Sequence, residues 1–186
     1  MSGSAGRIIF LNGTSSSGKS SIARELLDIL DDEIWFHLGV DTFNAMRTRR
    51  PLEQAQFDEA LKRTRKGFHR SIAAMAEVGN SVIVDHVLSE PWRLSDCLDV
   101  LRPYRVLFVG VRCDVEELTR REVVRGDRPP GLAAHQYDLV HRHGDYDFEC
   151  DSGAYSPREC AEQIKAFLPN QPDSTAFGRL REGIGR

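Results

Sequence analysis

The sequence predicts an α/β layer fold, a parallel sheet covered by helices on both faces. Short runs rich in β-branched and aromatic residues recur along the chain: "RIIFL" (7–11), "IWFHLGV" (34–40), "SVIVD" (81–85) and "YRVLFVGV" (104–111). Longer segments with helical spacing separate them. The runs are continuously apolar, whereas a strand with one wet face would alternate, so both faces of the sheet are expected to be buried. A shorter and less apolar run, "FECD" (148–151), supplies a fifth strand. At 186 residues and 40% hydrophobic content the chain suits one domain with its own core.

The first strand runs straight into "NGTSSSGKSS" (12–21), which packs two glycines, one lysine and six hydroxyl side chains into ten positions. Gly13 to Ser20 fits the pattern GxxxxGK[ST] between a predicted strand and a predicted helix, "SIARELLDIL" (21–30), which is the context that a phosphate-binding loop requires. In such a loop the glycines let the backbone wrap around phosphate, so that successive N–H groups form an anion nest at a helix N-terminus. Gly13, Thr14, Ser15, Ser16, Ser17, Gly18, Lys19, Ser20 and Ser21 are therefore assigned to nucleotide. Within them Lys19 is the point charge on the β and γ phosphates, and the Ser20 hydroxyl is a ligand for Mg²⁺. At this chain's own Gly, Lys and Ser/Thr frequencies the pattern arises by chance about three times in a thousand, before its context is demanded. A serine-rich turn is the weaker reading.

The second strand ends in "LGVDTF", with Asp41 just past its C-terminus, where open α/β sheets put their ligands. Between the second and third strands Phe57, Leu61, Phe68, Ile72 and Met75 mark one buried helical stripe. Lys62, Arg63, Arg65, Lys66 and Arg70 fall mostly on the remaining surface, read as solvated. The third strand ends in "VIVDH" and brings Asp85 to the same sheet edge, with His86 beside it. Two carboxylates next to a triphosphate invite two roles, support of Mg²⁺ and acceptance of a proton from an attacking hydroxyl. Asp41 adjoins the variable segment "TFNAMRTRRPLEQAQ", which is expected to hold the acceptor, and is read as the base. Asp85 follows the apolar "SVIV" and is read as the metal-side or acceptor-positioning group, with His86 as a further acceptor contact. Arg47, Arg49 and Arg50 in the variable segment suit a polar or anionic acceptor, and a solvated loop explains them as well.

After the fourth strand, "LTRREVVRGDRPPG" (118–131) puts Arg121 and Arg125 four residues apart on a helix, with Arg128 beyond a Gly-Asp and a Gly/Pro exit. This pattern reads as a helical lid whose arginines clamp the transferring phosphate and exclude water. His141 and His143 are expected on a surface, and neither is assigned to a metal. The last segment, "PNQPDSTAFGRLREGIGR", has no clear period and reads as a frayed tail. The domain is accordingly drawn over 7–168, with 1–6 and 169–186 flexible.

Composition excludes other classes. A net charge of −3 gives no polybasic signature for nucleic acid, and no apolar run of about 18 residues suggests a membrane span. The start lacks a signal peptide, so a cytoplasmic protein is expected. Cys97, Cys113, Cys150 and Cys160 have no metal-ligand spacing and read as reduced thiols. No NKxD-type guanine reader occurs, which disfavours a GTPase switch. A nucleotide-dependent ATPase or switch module that acts through a protein partner stays open beside a small-molecule kinase.

Taken together, "IIFLNGTSSSGKSSIAREL", "FHLGVDTF", "SVIVDHVL", "VLFVGVRCDVEEL", "REVVRGDR" and "YDFECDS" resemble, block by block and in the same order, the chloramphenicol phosphotransferases and their relatives. The resemblance covers about residues 7 to 168. It implies a three-layer αβα P-loop kinase fold with a five-stranded parallel sheet and a helical lid. It also implies ATP- and Mg²⁺-dependent phosphorylation of a small-molecule hydroxyl, with an antibiotic such as chloramphenicol among the acceptors. It assigns Lys19 and Ser20 to nucleotide and metal, Asp41 to the base, and Arg125 and Arg128 to the lid. It leaves the acceptor open, with shikimate-like, gluconate-like, nucleotide and sugar-nucleotide acceptors as alternatives.

Overall fold

The computed structural model describes residues 4–126 and 131–184. Five strands, β1 (Ile8–Asn12), β2 (Trp35–Gly39), β3 (Ser81–His86), β4 (Val106–Arg112) and β5 (Phe148–Asp151), form one sheet in the order β2-β3-β1-β4-β5. Every pairing is parallel, and the register sets Asn12 opposite His86 on one side and Gly110 on the other. The continuous apolar runs have the cause that the sequence implied: successive side chains point to opposite faces, and each face is covered. Ile8, Phe10, Val82, Val84, Val106 and Phe108 join one core, and Ile9, Leu11, Ile83, Leu107, Val109 and Val111 join the other.

The first core is covered by α3 (Gln54–Glu77), α4 (Pro91–Val100) and α8 (Ala176–Ile184), and the second by α1 (Lys19–Ile29) and α7 (Pro157–Phe167). This is the expected three-layer αβα architecture. A short helix, α2 (Val40–Ala45), follows β2. After β4 come α5 (Val115–Arg125) and α6 (Leu132–Val140), the helices of the expected lid. Asp114 caps α5 by accepting from the Glu117 amide at 2.8 Å. The buried Glu122 carboxylate accepts from the Gly131 amide at 2.7 Å and the Ala133 amide at 3.0 Å, which ties the start of α6 back to α5.

Two expectations are corrected. The segment read as a frayed tail carries α8, in which Ala176 and Phe177 are fully buried. The Phe177 ring lies 5.6 Å from Phe10 and 4.9 Å from Phe108, between centroids. Arg179 holds the helix by a bidentate contact to Asp145, at 2.8 and 2.6 Å. Only Ala176, Phe177 and Leu180 face the core, too short an apolar pattern beside Gly178 and Gly183 to announce a helix; tertiary packing supplies what local propensity lacks. His141 and His143, expected on the surface, are half-buried instead against Tyr146, and His143 stacks on Phe108 with centroids 5.1 Å apart.

Candidate active site

The phosphate loop sits at the C-terminal edge of the central strand. Gly18 adopts φ 83° and Ser16 φ 63°, the left-handed backbone that turns the loop into α1. A Cβ on Gly13 would stand 2.6 Å from the Val111 carbonyl oxygen and 2.7 Å from Ser17 Oγ, so this position admits no side chain. No side chain caps the first amides of α1 among the described residues, and its first turn carries no acidic residue, which leaves the helix N-terminus open to an anion. Lys19, 6% exposed, donates from Nζ to the Thr14 carbonyl at 2.6 Å and to Ser17 Oγ at 3.3 Å. Gly13, Thr14 and Ser17 thus shape the loop and hold its lysine from behind, while Ser15, Ser16, Gly18, Lys19, Ser20 and Ser21 line a cleft of about 1390 Å³.

The same cleft is lined by Asp41, Asp85, His86 and Arg125. Asp41 is exposed in the first turn of α2, and Asp85 is 8% exposed near the end of β3. The Ser20 hydroxyl donates to Asp85 Oδ2, and His37 Nε2 lies 3.9 Å from the same oxygen. Burial lowers the His37 pKa, so the ring is held neutral beside this carboxylate. A serine hydroxyl paired with a carboxylate is a hard oxygen donor set that suits Mg²⁺. Among the described residues no cluster of three His, Cys, Asp or Glu could hold a metal. Arg128 lies outside the described residues.

Ser152 and Gln136 join the site without having been named from the linear pattern, and Arg121, read there as a lid arginine, is tied to the first of them. Arg121 of α5 donates to the Ser152 carbonyl at 2.6 Å and to Ser152 Oγ at 3.3 Å, and Ser152 Oγ in turn donates to the Ser17 carbonyl at 2.8 Å. Its guanidinium would stand 3.8 Å from a Cβ on Gly18. The Gln136 side chain of α6 accepts from the Ser15 amide at 2.8 Å. Thus α6 bonds the phosphate loop directly, and α5 reaches it through Ser152. Ser152 follows the end of β5, so the sheet-edge rule that found Asp41 and Asp85 would have flagged it too.

His86 proves to be the last member of a buried chain. His69 Nδ1 lies 2.6 Å from Asp96 Oδ2, and His69 Nε2 lies 3.0 Å from His86 Nε2. A proton on His69 Nδ1 serves the carboxylate, so His69 Nε2 accepts and His86 Nε2–H donates. That leaves His86 Nδ1 as an acceptor, and it is buried without a hydrogen-bond partner. Burial lowers the pKa of His69 and holds that of His86 well below the ordinary value, with the neighbouring ring and arginines adding to the effect.

The acceptor side departs from expectation at the arginines. Arg47 lines the cleft and lies over the Phe57 ring at 4.8 Å, whereas Arg49 and Arg50 are exposed and do not line it. Arg65, read from sequence as part of a solvated face, is half-buried and lines the cleft, unlike the exposed Lys62, Arg63, Lys66 and Arg70. Phe57 and Leu61, read as core, line it as well, because positions 57, 61 and 65 share one face of α3 at four-residue spacing.

Comparison with known proteins agrees with this arrangement. The family model described as chloramphenicol phosphotransferase-like protein matches residues 6–169. A Mycobacterium tuberculosis protein named as an O-phosphotransferase is 33% identical over 200 residues, covering 95% of this chain and 88% of the relative. Among solved structures, the M. tuberculosis APS kinase CysC in complex with AMPPNP and APS superposes with a TM-score of 0.69 at 16% identity, covering 90% of this chain and 99% of that one. The shikimate kinase of Acinetobacter baumannii in complex with shikimate gives 0.61 at 16% identity, with coverages of 90% and 96%. At these identities the solved structures bear on the fold alone.

Proposed function

The chain belongs to the chloramphenicol phosphotransferase-like family and is an O-phosphotransferase of P-loop kinase type, and we propose that it transfers the γ-phosphoryl group of ATP, with Mg²⁺, to a hydroxyl of a small molecule. The observation that carries this reading is one cleft lined by the phosphate loop, Asp41, Asp85 and the lid arginine Arg125. In it the open N-terminus of α1 and Lys19 receive the phosphates. Ser20 and Asp85 would hold Mg²⁺, which when bound neutralises charge on the β and γ phosphates. Asp41, exposed to the cleft beside the acceptor segment, takes the proton from the attacking hydroxyl.

Arg125, and with it Arg128, acts from the lid on charge that develops at the transferring phosphoryl group. Arg121 holds the Ser152 turn against the loop, so lid and phosphate site are mechanically joined. On the acceptor side, His86 backs the wall of the cleft at the end of the buried Asp96–His69–His86 chain. An antibiotic alcohol such as chloramphenicol is one candidate acceptor, and inactivation of it would make the role one of resistance. No helix among the described residues is long and apolar enough to cross a membrane; a cytoplasmic site of action remains part of the proposal.

The test is transfer itself. With ATP, Mg²⁺ and a panel of hydroxyl compounds, mass spectrometry is expected to find one compound that gains a single phosphoryl group while ADP forms one for one. ADP formation at the same rate with and without every acceptor would instead favour the switch module.

A further inference from the structure

Arg65 combines three features that a solvated arginine lacks. It is half-buried, it lines the cleft on the same α3 face as Phe57 and Leu61, and among the described residues its guanidinium makes no hydrogen bond or ion pair within the protein. The carboxylates of Glu90, Asp41 and Asp58 act on it through space and not in contact. Withdrawing a guanidinium from water without a partner is unfavourable, so a site that keeps one in this state is built for a ligand that supplies the partner.

Arg93 stands against the same cleft, 7% exposed. It donates to the Val87 carbonyl at 2.9 Å and to Ser89 Oγ at 3.0 Å, and it pairs with Glu90, yet its Nε–H is buried without a partner. The two guanidinium groups repel each other, and burial together with Arg65 lowers the Arg93 pKa to about 10. Glu90 is the one carboxylate bonded at this wall among the described residues, and it is already engaged by Arg93 and the Trp92 indole at 2.7 Å. Arg65 thus faces the cleft with its donors unspent beside a carboxylate that is already occupied, while Asp41 and Asp58 act on it only through space. Arginine is suited to an anionic ligand there, since its planar fork matches carboxylate and phosphate oxygens.

We infer that the acceptor is a hydroxyl compound bearing an anionic group, a carboxylate, sulfate or phosphate, which Arg65 receives while the reacting hydroxyl lies at Asp41. The inference rests on the phosphotransferase reading and narrows it. Phe57 and Leu61 supply the apolar wall between the two polar ends, so the substrate has a small apolar body. A neutral alcohol such as chloramphenicol would leave the Arg65 guanidinium without a contacting partner and would be a poor acceptor.

The test uses inorganic sulfate as the probe, on the full-length protein saturated with AMPPNP and Mg²⁺ so that the phosphate loop is already filled, with ionic strength held constant. Calorimetric titration is expected to give one saturable sulfate site, weakened at least 10-fold in Arg65→Gln and less in Arg65→Lys, which keeps the charge. In the acceptor panel, the compound phosphorylated is expected to be an anion, and its methyl ester to lose about 10²-fold in kcat/KM with wild type and little further with Arg65→Gln. Absence of saturable sulfate binding beside AMPPNP overturns the inference. So does phosphorylation of a neutral acceptor that Arg65→Gln leaves unchanged, or a loss of AMPPNP affinity in Arg65→Gln matching the loss for sulfate, which would assign Arg65 to the nucleotide. Failure of AMPPNP itself to bind would fell the proposal that ATP is the phosphoryl donor, and this inference with it; the other outcomes leave that proposal intact.

Discussion

Protonation of His141 is expected to loosen the contact between the lid and the central strand. The His141 ring lies after α6, and its Nδ1 is 2.6 Å from the Tyr146 hydroxyl, which accepts from the Asn12 amide at 2.8 Å and so donates to His141. A proton on Nδ1 would place a donor against a donor. Burial, with Arg112, His143 and Lys19 adding positive charge and Glu149 opposing, pushes the His141 pKa down to about 4. In the unfolded chain the ring titrates near its ordinary value of about 6.5. The unfolded state therefore takes up the proton first, and the stability contributed by neutral His141 is complete above about 6.5 and lost as pH falls toward 4.

The full gap corresponds to about 3 kcal/mol, which solvent screening of a half-buried ring reduces to about 1 to 2 kcal/mol. At pH 5 the share already lost is about 1 kcal/mol, or roughly 0.5 M in the urea midpoint for an m value of about 2 kcal/mol/M. The assay is urea unfolding at pH 7.5 and pH 5 for wild type and for His141→Gln, which keeps an acceptor for Tyr146 and has no proton to take up. The variant should lose less stability over this interval by about that amount, with a residual slope from His143 and the other buried rings. Equal losses in both proteins would refute the reasoning.

The remaining predictions concern the carboxylates and the C-terminal helix. Asp41→Asn is expected to cut the maximal rate by about 10² to 10⁴-fold with ATP binding little changed, whereas Asp85→Asn should raise the Mg²⁺ concentration needed for activity; rates titrated against Mg²⁺ at saturating ATP and acceptor would exchange the two roles if the added metal rescued Asp41→Asn alone. Phe177→Ala removes a fully buried ring from between Phe10 and Phe108. It should cost about 3 to 5 kcal/mol and lower Tm by about 6 to 20 °C; a calorimetric Tm within about 2 °C of wild type would mean that α8 does not hold the core.

How much of this was legible in the sequence depends on how local the cause is. The strands were readable because a sheet covered on both faces needs unbroken apolar runs, and β5 was found at 148–151 despite its short length. The phosphate loop was readable because its chemistry is compressed into contiguous residues. Asp41 and Asp85 followed from where strands end. The rest depends on contacts between distant segments. Phe177 finds its partners on β1 and β4, and no period within α8 reveals them. His69, Asp96 and His86 come from α3, α4 and β3, and only packing makes them one chain. Arg65 looks like its solvated neighbours until α3 is rotated against the cleft, although its spacing from Phe57 and Leu61 already contained the hint.

The central claim is that the loop around Lys19 drives phosphoryl transfer to a hydroxyl. The most direct measurement is acceptor-dependent ADP formation by Lys19→Ala, with its thermal unfolding as the control for the fold. Lys19 contacts loop atoms and carries the charge that meets the phosphates, so the account predicts a folded variant with transfer reduced by about 10²-fold or more. Undiminished transfer by that folded variant would contradict it.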